Sequence, residues 1–142
     1  MKHIQQLTLF LVMLVAVSGL RAQAPTAIDF FHGTFAEAQA KAKRENKLIF
    51  MDAYTSWCGP CRFMSSNVFT DPSVGEYYNA HFVNVKVDME KGEGVDLSRR
   101  YNVMAYPTLL FIDGNGDVKS RAVGGKPASE FIALGQKVVK AN

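Results

Sequence analysis

Apolar residues change their period along this chain, and the changes mark out alternating strands and helices. Ile28 to Phe31 reads as a weak, short strand. Thr34-Phe35-Ala36-Glu37 has capping-box spacing, and the Ala/Lys-rich run to Glu45 predicts a helix. Lys47 to Ala53 is mostly apolar without alternation, the pattern of a central strand covered on both faces. Arg62 to Val68 has a helical pattern, and Asp71-Pro72 interrupts it and starts another helix, with Asp71 as cap and Pro72 in the first turn. Phe82 to Asp88 alternates as a strand, and Glu93 to Tyr101 is a short polar helix. Thr108 to Asp113 and Val118 to Val123 flank Gly114-Asn115-Gly116, a hairpin signal. Pro127 to Lys140 closes the chain as an amphipathic helix. The predicted order is β-α-β-α-β-α-β-β-α, an α/β class with a parallel crossover section and an antiparallel end.

The junction between the apolar strand and the next helix carries the chemistry. Trp57-Cys58-Gly59-Pro60-Cys61 holds both cysteines of the 142-residue chain. A Cys-x-x-Cys between strand and helix reads as a redox pair, since the spacing lets two sulfurs meet in a small ring. At a helix start the first sulfur faces unpaired backbone N–H groups and the positive end of the helix dipole. That setting favours thiolate, the form that attacks disulfides. A purely structural disulfide is the weaker alternative, because so small a ring constrains the unfolded chain little. A zinc site would need two more ligands, and His3, His32 and His81 do not supply a pair at metal-site spacing.

The N-terminus adds a compartment. Residues 1–24 carry Lys2, an apolar stretch from Leu7 to Leu20, and Ala22-Gln23-Ala24, the pattern of a cleaved signal peptide. The apolar stretch is short for a membrane span, which takes about 20 residues. Cleavage fits after Ala24 or after Ala22, with a retained anchor as the alternative; no nearby cysteine offers a lipid attachment point. Residues 25–142 are then expected to form a single domain. The chain has 16 basic and 13 acidic residues, and loss of Lys2 and Arg21 with the leader brings the mature charge to +1. Nothing in that balance calls for a nucleic-acid partner.

These features together resemble the thioredoxin family over nearly all of residues 25–142. The redox motif matches at every position from Trp57 to Cys61, and Asp52 falls where the family keeps a buried acid. Tyr106-Pro107-Thr108 falls at the family's cis-proline loop, opposite the cysteines. Gly116 and Gly124 fit the later hairpin and the glycine beside the substrate groove. The stretch Asn67 to Pro72, with Phe82 to Asp88, is similar to secreted thioredoxin-like proteins and to the terminal thioredoxin domain of periplasmic disulfide reductases. The resemblance implies the thioredoxin fold, a mixed central sheet flanked by helices.

It also implies roles. Cys58, at an exposed helix start, would be the attacking thiolate, and Cys61, one turn in and more buried, would resolve the mixed disulfide. Pro60 would set the first turn, Gly59 would leave room for a substrate chain, and Trp57 would wall the site. Asp52 would exchange a proton with Cys61, burial raising its pKa. The residue before Pro107, here Tyr106, would offer backbone hydrogen bonds to a bound peptide. No cofactor or metal is implied beyond the Cys58–Cys61 pair.

Several positions depart from the family pattern. Tyr106 is larger than the residue many relatives carry there. Lys86 and Asn84 are both candidates for a lysine position near the buried acid. Met89 to Gly94 is longer than the usual connection, and the proline that kinks the redox helix has no equivalent unless Pro72 replaces it. His81 reads as a surface residue at a strand start.

The Gly-Pro dipeptide with Asp52 resembles the reducing members, whereas the compartment is oxidising. The first expectation is therefore a periplasmic or secreted disulfide reductase. It would act on oxidised client proteins and be recharged by a membrane electron-transfer protein. The alternatives are an oxidase or isomerase on the same scaffold, and a binding or assembly module with little turnover.

Overall fold

The computed structural model describes residues 26–142, so the leader expected over residues 1–24 lies outside the described residues. The first helix, α1 (Phe35–Glu45), opens on a complete capping box: Thr34 accepts from the Glu37 N–H, and the Glu37 carboxylate accepts from the Thr34 N–H. Asn46 closes it in the left-handed region, at φ 51°. Strand β1 (Leu48–Tyr54) follows, then a short helix α2 (Gly59–Phe63) whose N-cap is Cys58. A π-turn over Met64–Val68 continues α2, with the Phe69 N–H reaching back to Met64 O at 2.8 Å. Helix α3 (Pro72–His81) begins as expected, capped by Asp71 with Pro72 in the first turn. Strand β2 (Phe82–Asp88), helix α4 (Gly94–Arg100), strands β3 (Thr108–Ile112) and β4 (Val118–Val123), and helix α5 (Ala128–Ala141) complete the chain.

The sheet order is β2-β1-β3-β4, with β1–β2 parallel and both β1–β3 and β3–β4 antiparallel. The strand expected at Ile28 to Phe31 is reduced to one isolated bridge, Phe30 opposite Asn84. The reason is that this segment gives its backbone groups to the helical layer. Asn79 takes the Asp29 N–H (2.8 Å) and donates to Ala27 O (2.9 Å), while the Ile28 N–H goes to Phe69 O (2.8 Å). The segment meets β2 at Asn84, whose backbone O accepts the Phe31 N–H (2.8 Å) and whose side-chain amide donates to Asp29 O (3.4 Å). The segment lies so close to α3 that a Cβ on Gly75 would stand 2.6 Å from Ala27 O.

Each face of the sheet has its own core. Ile49, Met51 and Ala53 of β1 point to one face, covered by Phe35, Ala38 and Ala42 of α1 and Leu97 of α4. Phe50 points to the other, among Val68 and Phe69, Tyr78 of α3, Phe111 of β3 and Phe131 of α5. β1 is thus apolar on both sides because both sides are covered. Phe50 is fully buried, with four rings around it at centroid distances of 5.1–6.1 Å. Phe50→Ala is expected to lower unfolding free energy by about 3–5 kcal/mol, read as a shift of the urea midpoint at constant slope. A cost within experimental error would mean that this cluster does not hold the helical layer to the sheet.

Candidate active site

The site forms where β1 ends. After Tyr54 the chain turns through Thr55, Ser56 and Trp57, and the Cys58 N–H closes the turn on Thr55 O at 3.4 Å. Cys58 then caps α2: its Sγ accepts the Cys61 N–H at 3.2 Å and is bonded to Cys61 Sγ. Proline suits the first turn because its missing N–H would have had no partner there. Gly59 and Pro60 face solvent, and a Cβ on Gly59 would meet no atom within 4 Å. Both cysteines are buried, Cys58 at 4% exposure and Cys61 at 2%. The expected contrast between an exposed and a buried sulfur is therefore absent in this oxidised state. The capping role turns the Cys58 side chain inward, over the helix start.

The rim around the disulfide comes from three more loops. Trp57 is 62% exposed, not a core aromatic, and its ring meets Tyr106 edge-on at 5.9 Å. Its indole N–H donates to the Glu90 carboxylate, 3.1 Å from each oxygen. The Tyr106–Pro107 bond is cis, and Pro107 O accepts the Gly124 N–H at 2.8 Å. Gly124 holds φ at +90°, a conformation suited to glycine. Gly125 follows beside α2, where a Cβ would be in ordinary contact with Pro60 O at 3.5 Å. Trp57, Gly59, Pro60, Tyr106, Pro107 and Gly124 are thus brought to one surface with the disulfide. A concavity lined by Lys43, Lys47, His81 and Asp113 opens at the other end of the sheet.

Behind this surface lies Asp52, fully buried on the Phe50 side of β1. Parallel pairing sets Asp52 opposite Lys86, whose ammonium lies 2.6 Å from Asp52 Oδ2. The same ammonium donates to Ser65 Oγ at 2.8 Å and sits 4.2 Å from the centroid of the Tyr54 ring. Asn84, the other candidate for this position, is used elsewhere: its amide donates to Asn79 Oδ1 (3.0 Å) and Asp29 O (3.4 Å). Burial raises the Asp52 pKa above its ordinary carboxylate value, and the nearby Lys86 charge and hydrogen bond offset part of that rise. Asp52 Oδ1 and Thr55 Oγ1 are buried without a hydrogen-bond partner among the described residues.

Sequence reasoning missed Glu90, Ser65 and Gly125. Glu90 sits in the segment recognised only as long, and Gly125 is one residue past the glycine singled out. Ser65 carries no signal of its own, since its role shows only in the contact it makes with Lys86 across the fold. Among the described residues no three His, Cys, Asp or Glu side chains are grouped to hold a metal. No described helix is long and apolar enough to cross a membrane.

The raised pKa of Asp52 has a direct effect on stability. The folded chain binds this proton more tightly than the unfolded chain, so folding is favoured most when Asp52 is protonated. That contribution is complete below the unfolded carboxylate value, about pH 4, and is lost as pH rises through the folded value. Asp52→Asn is therefore expected to gain stability relative to the parent as pH rises from about 4 to 8. Thermal melts of the oxidised proteins across that range check it. A difference that is flat in pH, or that shrinks, would refute the buried-acid assignment.

A model of the thioredoxin-like domain family matches residues 35–139. Thioredoxin-1 of Drosophila melanogaster is 36% identical over 97 residues, 68% of this chain and 84% of that protein. The thiol:disulfide interchange protein DsbD of Tatumella citrea is 33% identical over 123 residues, 83% of this chain. The chain spans 21% of the length of that DsbD. The solution structure of a candidate disulphide-isomerase from Bacteroides thetaiotaomicron has a TM-score of 0.72 and 49% identity, over 85% of this chain and 99% of that one. The reacting group is the chain's own cysteine pair, and proteins of this family need no cofactor. A mixed sheet with helices on both faces, and a disulfide capping the helix that follows its central strand, place the chain in the thioredoxin-like family as a thiol–disulfide oxidoreductase.

Proposed function

We propose that residues 25–142 form an exported protein-disulfide reductase, delivered to the periplasm or cell exterior by a cleaved leader over residues 1–24. The observation that carries the reading is Asp52, a dry acid on β1 bridged by Lys86, in the strand that leads to the cysteines. An acid poised above its usual pKa can take a proton from a thiol at neutral pH, which a resolving cysteine needs. The similarity to one part of DsbD, a thiol:disulfide interchange protein, supports disulfide exchange with other proteins, and the leader pattern over residues 1–24 supports the exported setting.

In the reduced enzyme the Cys61 N–H and the start of α2 stabilise a Cys58 thiolate. That thiolate attacks a client disulfide, forming a Cys58–client bond and releasing one client thiolate. Cys61 then loses its proton to Asp52 and attacks Cys58 Sγ. The second client thiolate leaves, and the Cys58–Cys61 disulfide seen here forms. Two electrons pass to the client. A dithiol on a membrane electron-transfer protein reverses the cycle by reducing the pair. Oxidised client segments lie against Trp57, Gly59 and Tyr106, with backbone pairing at the Tyr106–Pro107 loop.

A second reading, isomerase or oxidase, is favoured by the 49% identity to the Bacteroides thetaiotaomicron candidate disulphide-isomerase. The reduction potential separates the two. Equilibration in glutathione or dithiothreitol buffers is expected to give a value nearer about −270 mV than about −120 mV. A value at the oxidising end would make the protein a disulfide donor or isomerase. Substitutions test the residue roles. Cys58→Ser is expected to abolish exchange, whereas Cys61→Ser is expected to accumulate client mixed disulfides visible on non-reducing gels. Normal turnover by Cys61→Ser would overturn the assigned order of attack.

A further inference from the structure

The redox helix keeps α-helical bonding only through Phe63 and continues as the single π-turn Met64–Val68. Such insertions concentrate at functional sites, and Ser65 of this one lies against Lys86. The lysine reaches over from β2 to Asp52 Oδ2 at 2.6 Å and Ser65 Oγ at 2.8 Å, with its ammonium 4.2 Å from the centroid of the Tyr54 ring and 5.2 Å from that of Phe69. An ammonium has donors and no acceptor, so Ser65 must accept here. Lys86 is a quarter exposed, and without Ser65 its flexible stem can carry the charge toward water.

We propose that Ser65 is a positioning residue for disulfide exchange: it holds Lys86 against Asp52 and so sets the pH at which Asp52 accepts the Cys61 proton. The inference rests on the proton-acceptor role given to Asp52 above. Burial and Lys86 act on Asp52 in opposite directions, so the location of the lysine decides how far the rise is offset. Few other charges compete. β1 contributes Tyr54, with Asp88 and Lys91 acting on that ring from beyond it. The π-turn contributes no titratable group, and Arg62 on α2 turns its guanidinium to Ser56 O at 3.5 Å.

The test separates the two chemical steps. Reduced enzyme is mixed with the aryl disulfide dithiobis-nitrobenzoate. The Cys58 thiolate attacks one sulfur and releases one nitrothiophenolate. Cys61 then yields its proton, attacks Cys58 Sγ and releases the second nitrothiophenolate as the enzyme disulfide forms. Each release is followed by absorbance across a pH series. Ser65→Ala is expected to move the midpoint of the second phase upward by about one pH unit, leaving the first phase in place. Ser65→Thr, which keeps the oxygen, is expected to restore the parental midpoint. In a Lys86→Met background, Ser65→Ala is expected to add no further shift.

An unmoved midpoint in Ser65→Ala would overturn the proposal. So would an equal shift with and without Lys86, or a shift in Ser65→Thr as large as that in Ser65→Ala. Asp52→Asn distinguishes failure of the underlying reading. If its second phase keeps the parental pH dependence, Asp52 is not the acceptor and both readings fall. If Asp52→Asn removes that dependence while Ser65→Ala leaves it intact, the Ser65 inference falls alone.

Discussion

Everything at the reacting end depends on β1 being enclosed on four sides. β2 and β3 occupy its two edges, and a helical layer covers each face. Ile49 to Ala53 are buried without interruption. One constraint then has several effects. An acid at Asp52 is removed from water simply by its position in the strand. The parallel neighbour supplies the lysine opposite it, and the antiparallel neighbour begins at Thr108, immediately after the cis-proline. The cysteines follow as the strand leaves the sheet and its chain must reverse into a helix. The site is assembled from the surroundings of a single strand.

The acid is held between opposing forces. Desolvation of a carboxylate is large, and a single hydrogen-bonded lysine with partial access to solvent does not cancel it. A well-packed apolar residue at the same place would serve folding better, since buried ion pairs are often neutral or unfavourable to stability. Each unit by which the folded pKa exceeds the unfolded one corresponds to about 1.4 kcal/mol. The fold tolerates that cost because the aromatic and aliphatic cores on either side of the sheet are continuous.

Much of this was legible in the sequence, and the exceptions have physical causes. Periodicity placed β1, β2, β3 and the closing helix to within a residue or two, because those segments bury one or two faces consistently, whereas the half-exposed β4 was marked by the Gly114-Asn115-Gly116 turn before it. The Cys-Gly-Pro-Cys motif and the caps at Thr34 and Asp71 were equally direct, since each satisfies local backbone groups. Ile28 to Phe31 failed as a strand because Asn79, about fifty residues away, captures its backbone. Lys86 and Asn84 could not be told apart by pattern: two residues apart on one strand, they share a face, and strand register alone puts Lys86 opposite Asp52. The π-turn left no mark in Met64–Val68 composition; it shows only in the backbone, where the Phe69 N–H reaches Met64 O. The orientation of the Cys58 sulfur also escaped, since it follows from the helix cap closing in three dimensions.

The segment before α1 meets β2 at Asn84, near the beginning of that strand and away from the disulfide. Asn142, the last residue, lines the concavity shared with Leu48 and His81, at the same pole of the sheet. The described chain therefore enters and leaves on one side and reacts on the other. In engineering terms it is a plug-in cartridge: both attachment points share one pole, and the working surface stays clear. A tether, leader or neighbouring domain joined at either end would leave the cysteine face open to partners approaching from solution.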